Sequence, residues 1–171
     1  MNKGKIALKS VLVLYSYHHN NTEKIANSIA KVLDAEIKDP QKLNPEDLQE
    51  YDLIGFGSGI YSGKHHQSLL EFTGKLSQVT NRKAFIFSTF GVPERFAKSI
   101  SPQGEELVVQ QHLELREKLK FKGYKIIGEF GCPGFNTNSF LKRFGGMNKG
   151  RPNDEDLKSA ELFACKLKQG S

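Results

Sequence analysis

The chain is patterned for a three-layer α/β fold, in which a five-stranded parallel sheet carries helices on both faces. Three observations predict it. Short apolar, β-branched runs recur along the chain, a polar or glycine-rich turn follows most of them, and those turns lead into segments with apolar residues at helical spacing. Strand-turn-helix units with connections long enough for crossovers build a doubly wound parallel sheet.

Ser10 to Tyr15 reads as a strand buried on both faces. The polar loop Ser16 to Asn21 follows, and from Thr22 the positions Ile25, Ile29, Val32 and Leu33 define an amphipathic helix. A second short strand is expected near Glu36 to Lys38. Asn44-Pro45-Glu46-Asp47 then combines an N-cap, a first-turn proline and early acids, which marks a short helix. The third strand is Asp52 to Gly57. It runs into the loop Ser58-Gly59-Ile60-Tyr61-Ser62-Gly63 and a helix marked by Leu69, Phe72 and Leu76. The fourth strand, Lys83 to Ser88, leads through Thr89-Phe90-Gly91 to a long helix on which Val108, His112, Leu115 and Leu119 share a face. Tyr124 to Phe130 is the fifth strand. A glycine-rich, irregular stretch from Gly131 to Pro152 precedes the last helix, which starts at Asn153 with Asp156 three residues on. Its buried stripe is Leu157, Ala160, Ala164 and Leu167.

With 171 residues, of which 37% are hydrophobic, the chain is expected to form one compact water-soluble domain over residues 1–171. Folding at this size hides roughly 70% of the unfolded chain's surface. No apolar run reaches the length of a membrane span. Cys132 and Cys165 make no disulfide framework, so a reducing, cytoplasmic setting is expected. The net charge of +6 invites nucleic acid as a partner, but no recognition motif accompanies it.

In such sheets ligands sit beyond the carboxyl ends of the strands, where the strand order reverses. The first loop there, Ser16-Tyr17-His18-His19-Asn20-Asn21-Thr22, places hydroxyls, amides and imidazoles before a helix N-terminus, which favours an anion such as phosphate. It lacks the glycines of a dinucleotide fingerprint and the Gly-Lys-Ser/Thr ending of a nucleotide-triphosphate loop. Ordinary helix capping uses the same residue types, so a phosphate cradle and a capped turn both stand at this point. In the second loop the glycines Gly57, Gly59 and Gly63 suit close approach of backbone to a planar ligand.

The segment Ser16…Asn21-Thr22-Glu23-Lys24-Ile25-Ala26 resembles the phosphate loop of the flavodoxin family, and the likeness extends over nearly the whole chain. Flavodoxins present Ser/Thr-x-Thr-Gly-Asn-Thr to the phosphate of FMN. Here His18-His19-Asn20 replaces the central Thr-Gly in a loop one residue longer, and Asn20 is suited to take the glycine's left-handed backbone. The resemblance implies strand order 2-1-3-4-5 and non-covalent FMN at the switch point between the first and third strands. It implies that Ser16, His18, Asn20, Asn21 and Thr22 bind the phosphate. Ser58, Gly59, Ile60, Tyr61, Ser62 and Gly63 would flank the ring, with Tyr61 stacking on it. Thr89, Phe90 and Gly91 would meet the pyrimidine edge, Phe90 covering it, and the Gly131 to Phe135 turn would be a rim element. Gly57 to His66, followed by the Leu69 to Phe72 helix, is also similar to the menaquinone-dependent protoporphyrinogen oxidase group.

What the resemblance implies in function is a one-electron carrier between redox proteins. The alternatives are an FMN-dependent oxidoreductase acting on a quinone, porphyrinogen or other small-molecule electron acceptor, and a cofactor-free interaction domain. For the oxidoreductase, Pro93 to Gly104 and Gly131 to Pro152 would wall the pocket, and His65 or His66 would be the residues to test. No residue is expected to act as acid, base or nucleophile. His112 is expected at the boundary of its helix stripe, and Cys132, beside Pro133-Gly134, is expected at the surface. His18-His19 and His65-His66 would converge at one sheet edge, but adjacent histidines do not easily face one ion and nothing completes a metal set. Glu71 is the only acid between Leu53 and Pro93, and there is none between Gly131 and Asn153, where Lys142, Arg143, Lys149 and Arg151 lie. The rim is therefore expected to be neutral to positive, the docking face of its partner proteins acidic, and the second flavin potential less negative than in acidic flavodoxins.

Overall fold

The computed structural model describes residues 8–93, 105–138 and 140–170. In chain order the elements are β1 (Ser10–Tyr15), α1 (Asn21–Leu33), β2 (Glu36–Lys38), a 3-10 turn (Pro45–Glu50), β3 (Leu53–Tyr61), β4 (Lys64–His65), α2 (Gln67–Gly74), β5 (Arg82–Phe90), α3 (Glu105–Gln111), α4 (Leu113–Phe121), β6 (Tyr124–Pro133), a 3-10 turn (Leu141–Phe144) and α5 (Asp154–Gln169). Five strands pair in parallel in the order β2-β1-β3-β5-β6, and the two-residue β4 folds back antiparallel on the end of β3. With β4 set aside, this is the expected order 2-1-3-4-5.

Alternation along the strands divides the core into two layers. Val11, Val13, Ile54, Phe56, Ala84 and Ile86 pack under Leu69 and Phe72 of α2 and Leu115 and Leu119 of α4. Leu12, Leu14, Phe85 and Phe87 pack on the other face under Ile25 and Ile29 of α1 and Ala160, Ala164 and Leu167 of α5. On that second face β3 contributes Gly55 and Gly57, and the rings of Phe85 and Phe87 lie directly over them. A Cβ would come within 2.4 Å of the Phe85 ring at Gly55 and 2.2 Å of the Phe87 ring at Gly57. Gly57 therefore serves the core, not the approach of a ligand. Helix ends follow local chemistry: Asn44 accepts from the Glu46 N–H, and Asn153 and Asp156 form a reciprocal capping box.

Three strands outrun their expected ends. β3 continues to Tyr61, β5 to Phe90 and β6 to Pro133, because the pairs Ser58↔Ser88, Gly59↔Thr89, Thr89↔Cys132 and Phe90↔Pro133 extend the ladders beyond the apolar core. Glycine and hydroxyl residues there read as loop, yet ladder hydrogen bonds need no apolar side chain. The expected long helix is two, α3 and α4, separated at His112 while the hydrogen bond from the His112 N–H to the Val108 carbonyl, 3.0 Å, persists. Residues of β5 and β6 hydrogen-bond the His112 ring.

The register of β6 shifts once. Ala84 pairs with Ile126 and Phe85 with Gly128, so Ile127 is an inserted residue. A single insertion exchanges the faces of everything beyond it. Gly128 consequently lies against Phe163 and Leu167 of α5, while Glu129 turns toward α4.

Gly57→Ala is expected to destabilise the fold by about 1–3 kcal/mol through overpacking against Phe87. Gly74→Ala, where a Cβ meets nothing within 4 Å, is expected to be neutral or slightly stabilising. Urea unfolding of both variants checks this.

Candidate functional site

The carboxyl ends of β1, β3 and β5 open onto a cleft of about 770 Å³ at the switch point between β1 and β3. Its first wall is the β1–α1 turn, with Ser16, Tyr17, His18, His19, Asn21 and Thr22 lining the space. His19 and Asn20 both take left-handed backbone, φ 55° and 51°, which turns the chain into α1. Asn20 makes no side-chain hydrogen bond to the first turn. The first-turn N–H groups of α1 thus lack the partner that a capped turn would supply, and they stay available to an anion. Two contacts fix the turn in place: Thr22 Oγ1 meets Thr89 Oγ1 on β5 at 2.8 Å, and Asn21 Nδ2 donates to the Phe135 carbonyl at 2.8 Å.

The second wall is the β3–β4 hairpin, from which Gly59, Ile60, Tyr61, Ser62 and Gly63 line the cleft. Ser62 and Gly63 both have positive φ, 50° and 80°, and form a two-residue turn whose hand suits the twist of the strands. Tyr61 is half buried, and burial pushes its phenol up despite a hydrogen bond with the backbone of His18, which joins the first two walls. Its ring meets His66 edge-on at 5.2 Å, and His66 stacks on Tyr15 at 4.1 Å.

The third wall comprises Thr89, Phe90, Gly91 and Val92, together with Leu107, Gln110 and Gln111 of α3 and residues 134–138. Sequence reasoning missed the α3 residues, because amides on an amphipathic helix carry no local signal of a cleft. It also placed residues 131–135 only at the rim. The polar run Asn136-Thr137-Asn138 after a strand end was the one available hint. Asn136 lies so close to Gly91 that a Cβ there would come within 2.4 Å of its Nδ2, and His19 Nε2 bonds Thr137 Oγ1 at 2.7 Å.

Several expected site residues sit elsewhere. Ser58 is 0% exposed. Its hydroxyl accepts from the His66 N–H at 3.0 Å and bonds His65 Nδ1 at 2.9 Å, pinning the hairpin from beneath. Asn20 shapes the turn without lining the cleft. Phe90 lines the cleft as expected, with its ring packed against Leu107 and Val108. Of the wall proposed for Pro93 to Gly104, residues 94–104 lie outside the described residues. The histidines diverge: His19 packs on Phe135, His66 on Tyr15, and His65 turns into the core. Cys132 is buried, not exposed, because the β5–β6 ladder extends past it, and burial pushes its thiol well up. Arg151 turns inward to a two-pronged ion pair with Asp156, whereas Lys142, Arg143 and Lys149 are exposed. None of the described residues lining the cleft is Asp, Glu, Lys or Arg.

Beneath the second and third walls lies a buried polar chain. Ser88 Oγ bonds His112 Nε2 at 2.8 Å, His112 Nδ1 bonds Glu129 Oε2 at 2.9 Å, and Arg116 holds both carboxylate oxygens of Glu129. His112 is thus a core residue and not a boundary one. The His65 ring lies 4.9 Å from that of His112, and His65 Nε2 is buried without a hydrogen-bond partner. Burial holds His65 well below the usual imidazole range, and it lowers His112 more than the Glu129 carboxylate raises it. Burial alone would raise Glu129, but the hydrogen bonds from His112 and Arg116 prevail and bring it down to about 2.

A parallel 2-1-3-4-5 sheet with an uncapped helix N-terminus at its switch point defines a flavodoxin-like protein. The Flavodoxin domain profile matches residues 12–127, and the chain belongs to the flavodoxin family. It is 50% identical over 157 residues to an uncharacterized protein of Methanocaldococcus jannaschii, covering 92% of this chain and 96% of that one. Among solved structures it resembles oxidised flavodoxin 2 from Bacillus cereus, with TM-score 0.68 at 17% identity, over 95% of this chain and 99% of that one. It also resembles general stress protein 14 from Treponema denticola in complex with FMN, with TM-score 0.62 at 11% identity, over 93% and 99% of the two chains.

The buried histidines and Glu129 set the direction of the pH response. Below about 6.5 the unfolded chain takes up imidazole protons that folded His65 and His112 resist, so stability is full above that pH and falls as pH drops below it. A second loss, from Glu129, follows as pH falls from about 4.5 toward its folded value. Urea midpoints measured across this range check both phases. Glu129→Gln is expected to abolish the second and to cost about 3 kcal/mol at neutral pH, because it leaves Arg116 without its carboxylate.

Proposed function

We propose that the protein binds FMN non-covalently in the cleft and acts as a one-electron carrier between redox proteins. The observation that carries this reading is the uncapped N-terminus of α1 facing a cleft at the β1/β3 switch point whose described lining holds no Asp or Glu, in a chain of the flavodoxin family. The lining fits the cofactor. The first-turn N–H groups, with Ser16, His18, Asn21 and Thr22, would hold the phosphate. Gly59 to Gly63 and Thr89 to Gly91 would stand on either side of the ring, Ser58 and Asn20 acting only by fixing the backbone around it. The FMN complex of the Treponema denticola relative supports the choice of flavin. Bound FMN supplies the redox chemistry, and the protein binds and orients it. The described lining holds no Asp or Glu and so lacks the acidic repulsion that disfavours an anionic reduced flavin, which supports a less negative second potential. The exposed lysines and arginine beside the cleft suit an acidic partner, and free Cys132 and Cys165 suit a reducing cytoplasm.

A second reading draws on one further observation: residues 135–138 stand over the cleft as a wall, which would suit an oxidoreductase acting on a quinone or another small acceptor. Reductive titration separates the two readings. Two resolved one-electron steps fit a carrier, whereas a single two-electron step with turnover of a soluble quinone fits the enzyme.

Titration of the apoprotein with FMN, followed by quenching of flavin fluorescence, is expected to saturate at one equivalent. Ser16→Ala and Thr22→Val are each expected to weaken binding about tenfold, equivalent to about 1.4 kcal/mol. Absence of saturable binding would overturn the FMN assignment.

A further inference from the structure

Between β6 and α5 the chain makes an excursion that is tied down at its base and bare at its tip. At the base the Phe135 N–H donates to the Arg151 carbonyl at 3.0 Å, Asn136 and Met147 exchange backbone hydrogen bonds of 2.9 and 2.7 Å, and Asn148 Nδ2 donates to the Val92 carbonyl at 2.9 Å. The base is part of the cleft wall. At the tip, the short 3-10 turn Leu141–Phe144 begins only three residues after Asn138, the last cleft-lining residue. It displays Phe140 and Phe144, each 73% exposed with ring centroids 5.3 Å apart, and the exposed cations Lys142 and Arg143 lie between them. Lys149, also exposed, follows in the turn on the way back to α5. Two neighbouring aromatic rings left in water at the edge of a cleft mark a place where something docks.

We propose that this tip is the docking surface for a protein partner that presents an apolar patch ringed by carboxylates. The proposal rests on the electron-carrier reading, to which it adds a location and a partner chemistry. Charge selects the partner: the excursion holds no Asp or Glu between Gly131 and Asn153, so every Asp, Glu, Lys or Arg on it is a Lys or an Arg. Acidic partners are steered toward it and basic ones repelled. Aromatic side chains and Arg are the residues that carry energy in small interfaces. A patch of this size suits the brief encounters of redox proteins, which bury less surface than stable complexes. A lipid surface fits less well, since a four-residue turn offers far less apolar area than the amphipathic helices that hold proteins to membranes. Single-stranded nucleic acid also fits less well, because the two rings pack on each other at 53° and form no series of stacking platforms.

The test uses the FMN-loaded protein and a small acidic iron–sulfur ferredoxin as the probe, with binding measured calorimetrically at low and high salt. The ferredoxin is expected to bind, and to bind more weakly as salt rises. The double variants Phe140→Ser/Phe144→Ser and Lys142→Glu/Arg143→Glu are each expected to lower affinity about tenfold while FMN titrations match the parent. Phe121→Ser, at an exposed ring on the end of α4, is expected to change nothing. Ferredoxin binding that is absent, or that neither double variant alters, overturns the proposal. So does binding of phosphatidylglycerol vesicles or of a single-stranded RNA to the tip in place of the ferredoxin. If the parent fails to bind FMN, the carrier reading falls by that measurement alone, and calorimetry on the apoprotein judges the docking surface separately.

Discussion

The pairing of β3 with β5 is the constraint on which the rest of this protein depends. The two strands lie in register from Leu53↔Lys83 to Gly59↔Thr89, and the rings of Phe85 and Phe87 rest on the bare backbone of Gly55 and Gly57. Those rings fill the centre of the layer beneath α1 and α5. The same ladder does not stop where the apolar residues stop. It carries Gly59 and Thr89 out to the cleft as ordered strand, so two of the three walls are extensions of the core. A site built on strands holds its geometry better than one built on free loops.

Beneath those walls the polar chain through Ser88, His112, Glu129 and Arg116 is a consequence of one inserted residue. Had β6 paired without its bulge, Glu129 would face α5 and the apolar layer around Phe163. The insertion at Ile127 turns it toward α4, where Arg116 and His112 meet it. His112 stands between α3 and α4 next to Gln111, which reaches the cleft, so the third wall borders this buried chain. The neighbouring His65 and Ser58 pin the β3–β4 hairpin in the same way. Buried polar networks of this kind specify a geometry more than they add stability.

Charge is arranged by distance from the cleft. Among the described residues, the lining holds no Asp, Glu, Lys or Arg, and the cations of the excursion stand beside it. The positive end of the α1 dipole faces that lining. The cations outside act on larger molecules at longer range.

How much of this was legible in the sequence follows from which interactions are local. Strand identity, order of elements, helix caps at Asn44 and Asn153, and the left-handed turn at Asn20 were readable, because each depends on hydrophobic period or on the backbone preferences of a few adjacent residues. The polar β1–α1 turn before a helix N-terminus was readable for the same reason. Ser58, His112 and Cys132 were misplaced, because burial and direction there are decided by strands far apart in the chain: ladder extension hides Ser58 and Cys132, and the bulge supplies the partner of His112. The order and period of apolar residues in the sequence by themselves thus determined a doubly wound sheet and the loops at the carboxyl ends of its strands. Tertiary structure alone decided which side chains face the cleft, since a one-residue change of register reverses a strand's faces without altering its composition.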